Sequence, residues 1–276
     1  MIESRNLFRL QSKLLTKDKS IPVKTLEKNY ILAWILVGIA NLDMENLFVF
    51  KGGTALKMFF INNYRFSEDL DFTLLNPLGL EVLKEKLNRV YTSVMDKANI
   101  PIVFNRSEVH SNSYTIYVNF SGPLGASIER GEIKIDFTIN ELLLFPTKRE
   151  KFFNLYEEYA DIPRNVEILV YSIEEILIEK IISIIDPGRN EPRDVYDLWF
   201  LLRNGLVKLD TLKDSFIKKA EFKYVNHANM VQMLEKKKVN YERLWANRLY
   251  HQVLDLPHFD QVYRDIKRKL RESNYI

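Results

Sequence analysis

The fold is decided by the stretch Phe48-Val49-Phe50-Lys51-Gly52-Gly53-Thr54, which Arg65-Phe66-Ser67-Glu68-Asp69-Leu70-Asp71-Phe72 follows eleven positions later. The apolar run at residues 47–50 predicts a strand, and the paired glycines end it. The pattern of residues 54–61 predicts a helix, and that of residues 70–75 a second strand. The two glycines let the backbone approach a ligand closely. The helix that follows presents free N–H groups at its N-terminus, and these can bind a phosphate. Taken alone, a Gly-Gly turn more often has only a structural role.

Two acidic residues on the second predicted strand strengthen the ligand interpretation. Asp69 and Asp71 are two positions apart, so both side chains emerge on one face of the strand, while Leu70 and Phe72 face the core. Neighbouring carboxylates repel each other unless a cation neutralises them, and a divalent metal ion does so. The pair follows the candidate phosphate turn by one helix. We therefore predict a metal site beside a phosphate site.

A third acid fits the same face. Residues 132–139 alternate between polar and apolar side chains, which predicts a strand with Asp136 pointing away from the core. Asp136 can then join Asp69 and Asp71 on a shared sheet, and Glu132 is the competing candidate. Three carboxylates can hold two Mg²⁺ ions that activate an attacking oxygen and stabilise a leaving pyrophosphate. The alternative is an ordinary solvated strand face.

The order of the predicted elements favours an α+β fold with a mixed α/β arrangement. Strands and helices are interspersed up to about residue 140, and from Ile173 the pattern is almost wholly helical. We predict one domain over residues 1–165 and a helical domain over residues 166–276. The boundary falls near residues 150–170, close to Pro146, Pro163 and the charged run Lys148-Arg149-Glu150-Lys151.

Composition excludes several classes of site and of protein. The chain of 276 residues has no cysteine, which rules out disulfides, thiolate nucleophiles and zinc–thiolate centres. Its best apolar run, Tyr30 to Ala40, is shorter than the roughly 20 residues that cross a bilayer. The four histidines show no metal-ligand spacing. We expect a cytoplasmic protein with no membrane partner.

Charge is distributed unevenly along the chain. Residues 203–276 hold 16 Lys and Arg against 9 Asp and Glu, whereas the preceding residues hold 24 against 28. A basic C-terminal part suits contact with nucleic acid, although solvated helix faces would give the same balance. Aromatic residues are interleaved with these cations, and they either stack on bases or fill the core. They are Tyr224, Tyr241, Trp245 and Tyr250.

Lys180 is the most informative single residue of the second half. It lies inside an apolar stripe that includes Ile176, Leu177 and Ile181, and burying an ammonium without a partner costs several kcal/mol. Lys180 must therefore reach solvent, pair with an acid or contact a ligand anion. Two acids that could pair with it, Asp194 and Asp197, follow within seventeen residues. Asp197 could instead form an ion pair with Arg193, which lies four residues before it on the same helix.

These motifs together resemble the AbiEii/AbiGii family of nucleotidyltransferases, the type IV, MenT-like toxins. The similarity covers roughly residues 20–205, and Asn29 stands where the family usually has aspartate. The matching segments are Leu26-Glu27-Lys28-Asn29-Tyr30, Phe50-Lys51-Gly52-Gly53-Thr54-x-Leu56, Arg65–Phe72, Glu174-Glu175-Ile176-Leu177-x-Glu179-Lys180 and Arg193-Asp194-x-x-Asp197-Leu198.

The resemblance implies a DNA-polymerase-β-like nucleotidyltransferase core followed by a helical C-terminal domain. It implies the toxin of a toxin–antitoxin pair, often associated with phage defence, with a cognate antitoxin as partner. It also implies roles for individual residues. Those of the nucleotide site are Lys51, Gly52, Gly53, Thr54 and Ser67; those of catalysis are Asp69, Asp71, Lys180 and Asp194; and those of the metal site are Asp69, Asp71 and, less securely, Asp136.

The leading hypothesis is transfer of a nucleoside monophosphate from an NTP to an RNA acceptor, the tRNA 3′ end, with Mg²⁺ or Mn²⁺ as cofactor. One alternative is nucleotidylation of a small molecule such as an antibiotic by the same core. Another is a nucleotide-binding module without catalysis that acts through protein contacts.

Overall fold

The computed structural model describes residues 1–16, 19–42, 44–153 and 155–276. The chain divides into two compact units. Unit 1 comprises Met1–Glu141 and Thr147–Tyr171, and unit 2 comprises Leu142–Pro146 and Ser172–Ile276. The domain boundary between residues 165 and 166 stays a prediction.

Within the described residues, unit 1 forms a seven-stranded mixed sheet with helices packed against it. The strands are β1 (Phe48–Lys51), β2 (Asp69–Leu74), β3 (Ile102–His110), β4 (Ser113–Phe120), β5 (Gly131–Thr138), β6 (Lys148–Lys151) and β7 (Glu167–Val170). Their order in the sheet is β3-β4-β5-β2-β1-β7-β6. β2 runs antiparallel to β1 and parallel to β5, so the mixed sheet that the sequence predicts is confirmed. The helices are α1 (Ser4–Lys13), α2 (Val23–Ala40), α3 (Gly52–Ala55), a π-helix (Leu56–Phe60) and α4 (Leu80–Ala98).

Aromatic side chains from the central strands form the core on one face of the sheet. Phe50 pairs with Phe72, and Phe72 pairs with Phe137, so the rings stand side by side. The ring centroids of Phe72 lie 5.0 Å from Phe50 and 5.2 Å from Phe137. Leu70 and Phe72 are buried, as the alternation predicts. Asp69 and Asp71 therefore lie on the opposite face.

Two elements correct the expectations from the sequence. The helix predicted from residue 54 begins two residues earlier, at Gly52, and widens into a π-helix at Leu56. The charged run Lys148-Arg149-Glu150-Lys151, which the sequence suggested only as part of the boundary, is strand β6 at the edge of the sheet. Charged side chains are common on edge strands because they discourage pairing with other chains.

Unit 2 is helical, as predicted. Its helices are α5 (Ile173–Ile185), α6 (Pro192–Arg203), α7 (Lys213–Phe222), α8 (Met230–Leu249) and α9 (Phe259–Glu272). Ser172 caps α5 by accepting a hydrogen bond from the backbone N–H of Glu175 at 3.2 Å. The carboxylate of Glu175 accepts two more, from the N–H groups of Leu144 and Phe145, at 2.9 Å each. These bonds hold residues 142–146, which we call the strap, on α5.

In the part of the chain that the structure describes, we find no helix that combines the length and apolar character needed to cross a bilayer.

Candidate active site

The Gly-Gly turn and the acidic pair meet at Gly52. This residue has a φ of +81°, a left-handed conformation that favours glycine. A Cβ atom at Gly52 would lie only 2.5 Å from the Oδ2 atom of Asp71. The carboxylate of Asp71 can rest against the turn only because residue 52 has no side chain. The two motifs that the sequence analysis joined by their spacing are therefore joined in space.

Arg65 packs against the second glycine. Its guanidinium fills the place where a Cβ of Gly53 would be, and the Oγ atom of Ser67 lies 3.4 Å from the same point. Arg65 is buried, and its Nη1 atom donates to the carbonyl of Phe66 at 3.1 Å. This cation beside the turn was not among the predicted site residues. A sequence signal exists, because Arg65 is a charged residue between two aromatic ones directly before the acidic strand.

Thr54 and Lys51 are both buried beside the turn. The hydroxyl of Thr54 donates to the backbone carbonyl of Asp69 at 2.6 Å, which ties the start of α3 to β2. Lys51 is paired with Asp71 across the strands, and its Nζ atom lies 3.9 Å from Oε2 of Glu141. The nucleotide contacts expected of Thr54 and Lys51 stay predictions.

Asp136 lies directly beside Asp71, because β2 and β5 pair in register at these two residues. The hydroxyl of Thr115 donates to Oδ1 of Asp136 at 2.6 Å and helps to fix the carboxylate. The competing candidate, Glu132, forms an ion pair with Arg106 and accepts a hydrogen bond from Asn105. Of the two acids on β5, the structure thus brings Asp136 to the acidic pair. Its role as a metal ligand stays a prediction.

Lys134 supplies positive charge within this acidic group. It is paired with Asp69 in the sheet, and its Nζ atom donates to Oδ2 of Asp136 at 2.5 Å. Partial burial lowers the pKa of Lys134, but the hydrogen bond to Asp136 and the charges of Asp69 and Asp71 outweigh it and raise the pKa. Lys134 is therefore a protonated counter-ion for the acids. Its polar position in β5 was visible in the sequence, but its closeness to Asp69 depends on how the strands pair.

The donor set fits a hard divalent cation. Among the described residues, no group of three or more His, Cys, Asp or Glu side chains is already arranged to hold a metal ion. Mg²⁺ seldom needs such a cage, because it usually keeps several waters and takes one or two carboxylates together with substrate phosphates. Asp69 and Asp71 match this mode of binding.

A separate charged cluster lies in unit 2. The Nζ atom of Lys180 is 2.6 Å from Oδ1 of Asp194 and 2.8 Å from Oδ2 of Asp197, and all three residues are buried. Arg189 also contacts Asp194, at 2.5 Å. Burial by itself would raise the pKa of Asp194, but Lys180 and Arg189 more than offset this, so its pKa lies well below the ordinary value. Of the possibilities for Lys180, the structure shows pairing with acids.

The four aromatic residues of the basic C-terminal part have different environments. Tyr241 and Trp245 are buried, so they serve the core of unit 2. Tyr224 and Tyr250 are 97% and 47% exposed. Of the four residues, these two are therefore accessible for stacking on a nucleic-acid base.

The comparison with protein families decides the identity. The family described as "Nucleotidyl transferase AbiEii toxin, Type IV TA system" matches residues 34–265. The chain belongs to the AbiEii family. It is therefore a nucleotidyltransferase of the type IV toxin–antitoxin class, which implies an NTP substrate and an antitoxin partner. No curated protein matches the sequence.

Solved structures support the fold of this AbiEii protein. JHP933 from Helicobacter pylori is 18% identical and superposes with a TM-score of 0.55 over 92% of this chain and 93% of its own. MenT4, a nucleotidyltransferase toxin from Mycobacterium tuberculosis, is 15% identical, with a TM-score of 0.60 over 100% of this chain and 91% of its own. At these identities, the similarity establishes the fold.

Proposed function

We propose that this AbiEii-family protein transfers a nucleoside monophosphate from an NTP to an RNA acceptor, and that the acceptor is the 3′ end of tRNA. The observation that carries the proposal is the meeting of Gly52, Asp71 and Asp136 on one face of the sheet. A turn suited to phosphate and adjacent carboxylates suited to a divalent cation are the parts that nucleotidyl transfer requires.

Each residue has a proposed task. The backbone of Gly52 and Gly53 lies along the triphosphate, with Lys51, Thr54 and Ser67 completing the nucleotide site. Asp69 and Asp71 hold Mg²⁺ or Mn²⁺, which when bound offsets the charge of the phosphates. Asp136 accepts the proton of the attacking RNA hydroxyl, whose oxygen bonds to the α-phosphorus of the NTP while the bond to the leaving pyrophosphate breaks. Catalysis then consists mainly of positioning and charge neutralisation.

Lys180 and Asp194 are proposed as further catalytic residues on the strength of the family motif they match. Their ion pair is well formed within unit 2.

The test is to incubate the protein with Mg²⁺, total tRNA and each labelled NTP in turn, and to follow the label. We expect label in the tRNA fraction with at least one NTP. Asp69→Asn should lower transfer by at least about a hundredfold, because the residue contacts the metal and transition-state charge depends on it. The melting temperature should not fall, since Asp69 lies outside the apolar core.

Asp96→Asn is the matched control. Asp96 is exposed on α4, so the same chemical change there should leave transfer unaltered. Label in a small acceptor instead of RNA would replace this proposal with the antibiotic-type alternative, and binding of NTP without any turnover would replace it with the non-catalytic one. Full activity in Asp69→Asn would refute the metal assignment.

A further inference from the structure

A second row of side chains crosses the sheet beside the acids. Arg106 on β3 pairs with Tyr117 on β4, Tyr117 pairs with Lys134 on β5, and Lys134 pairs with Asp69 on β2. Side chains directly opposite in paired strands lie on the same face. These four residues, which we call the Arg106 row, therefore share the face of the candidate active site.

The outer part of this row has the chemistry of a base-stacking platform. The guanidinium of Arg106 lies over the ring of Tyr117, 3.6 Å from its centroid. Its side chain is still 47% exposed, although it is ion-paired with Glu132. Unpaired RNA bases stack on aromatic rings and on arginine planes. The guanidinium of Arg106 is such a plane, and it is accessible from solvent. The ring of Tyr117 and the carboxylate of Glu132 hold it in place.

The spacing along the row suits a short length of single strand. Neighbouring strands are about 4.8 Å apart, so three steps place Arg106 roughly 14 Å from Asp69. Stacked nucleotides rise by about 3.4 Å each, so a few of them span that distance. Lys134 stands between the two ends as a cation that can meet a phosphate.

We propose that the Arg106 row binds the single-stranded 3′ end of the acceptor RNA, with a base stacked on Arg106 and Tyr117 and the terminal hydroxyl towards Asp69. This inference rests on the proposed function, because it names the surface that presents the RNA to the acids. It assigns binding roles to Arg106 and Tyr117, neither of which was among the predicted site residues.

The test measures binding without catalysis. A short single-stranded RNA with a free 3′ hydroxyl and a 5′ fluorescein is titrated with full-length protein, and fluorescence anisotropy gives Kd in the absence of NTP and metal. We expect Arg106→Ala and Tyr117→Ala each to raise Kd by more than about fivefold, the lower range for losing one stacked base. Arg106 is exposed on an edge strand, so its replacement keeps the fold even if Tyr117→Ala does not.

Two further variants make the result specific. Arg89→Ala removes one positive charge from an exposed position on α4 and should leave Kd unchanged. Arg106→Lys keeps the charge but lacks the planar group, so it should remain as weak as Arg106→Ala. A smaller loss than fivefold in Arg106→Ala, an equal loss in Arg89→Ala, or full binding by Arg106→Lys would each overturn the proposal.

Failure of this inference can be told apart from failure of the proposed function. If wild-type protein labels tRNA while Arg106→Ala binds and labels RNA as well as wild type, only the Arg106 row is wrong. If wild-type protein labels no RNA with any NTP, the proposed function is wrong.

Discussion

Lys180 lies within the apolar stripe of α5 because Asp194 and Asp197 neutralise it there. The side chains of the two acids are 2% and 0% exposed, so both carboxylates depend on nearby cations instead of water. Breaking a buried ion pair by removing one partner leaves an uncompensated charge, whereas replacing all the partners by neutral groups is often close to neutral. Stability and catalysis can be separated at this cluster for that reason.

Lys180→Met should lower the free energy of unfolding by about 3–5 kcal/mol, the usual loss on breaking a buried pair. Urea unfolding measures it. Lys236→Met, at an exposed position on α8, is the control and should change little. The triple variant Lys180→Met/Asp194→Asn/Asp197→Asn should regain most of the lost stability. If Lys180 and Asp194 have the proposed catalytic roles, the triple variant should be inactive in nucleotidyl transfer although it is stable. Wild-type transfer by the triple variant would show that Lys180 and Asp194 have only a structural role.

The candidate site could be predicted from sequence wherever it depended on local alternation. Asp69, Asp71 and Asp136 were placed on the polar face of their strands because side chains alternate with a period of two. Lys134 and Arg65 were missed, since their importance depends on tertiary contacts and not on local alternation. Lys134 matters because β5 pairs with β2 in one register, and Arg65 because it packs on Gly53.

Among the elements that were predicted, the helix after β1 differs from its prediction by its π-helical turn. Its π-helical turn at Leu56–Phe60 contains Lys57, which is buried although its side chain is charged at neutral pH in water. The Nζ atom donates to the carbonyl of Tyr64 at 3.2 Å and to the hydroxyl of Tyr156 at 3.1 Å, and it lies 3.9 Å from the ring centroid of Phe66. Burial, and then the charge of Arg65, lower the pKa of Lys57 to about 7.

This lowered pKa predicts a pH dependence of stability. Between about pH 7 and the ordinary value of 10.5, the unfolded chain holds a proton on Lys57 that the folded chain lacks. Raising the pH through that window therefore stabilises the folded state, by up to about 1.4 kcal/mol per pH unit. Relative to Lys57→Met, wild type should gain stability between pH 7 and 9.5 in denaturant titrations.

Lys97→Met provides the comparison for that experiment. Lys97 is exposed on α4, so the stability difference between this variant and wild type should not vary with pH over the same range. If the difference in free energy of unfolding between wild type and Lys57→Met also does not vary with pH, Lys57 keeps its proton throughout this range.

Elements with a continuous apolar stripe were predicted well, whereas the strands β3, β6 and β7 were not predicted. α5 begins at Ile173, where the helical pattern of the sequence begins, because its apolar stripe is continuous. β3 has nine residues, but only Ile102 among them is buried, and β6 and β7 have four residues each. The pairing of β6 with β7 comes from the tertiary structure, since Lys148–Lys151 has no apolar face.

At the scale of the whole molecule, the units are not continuous in sequence. The strap at residues 142–146 belongs to unit 2, yet it is separated from the rest of that unit by β6 and β7. Its attachment is Glu175, whose carboxylate also pairs with the fully buried Lys219. A division of the chain at any position between residues 146 and 175, the predicted boundary included, therefore takes the strap away from Glu175.

We expect residues 172–276 alone to be less stable than the same fragment with residues 142–146 joined to its N-terminus by a flexible linker. Two hydrogen bonds to a charged acceptor contribute about 1.5–3 kcal/mol each, and about 1 kcal/mol shifts the melting temperature of a domain this size by several degrees. Calorimetry should show a gain of about 5 °C or more. Glu175→Ala also removes a partner of Lys219, so it is introduced into both fragments, where it should abolish the difference in melting temperature. Equal melting temperatures for the two fragments without this change would contradict the expectation.

The folded chain carries its own positive charge beside Asp136, in the ammonium group of Lys134. Small metal domains that lack such an internal charge stay unfolded until the ion arrives, and chelators denature them. In this chain, Lys134 offsets the neighbouring carboxylates in the folded structure. We therefore expect a chelator to leave the protein folded while it removes the divalent ion proposed to bind Asp69 and Asp71.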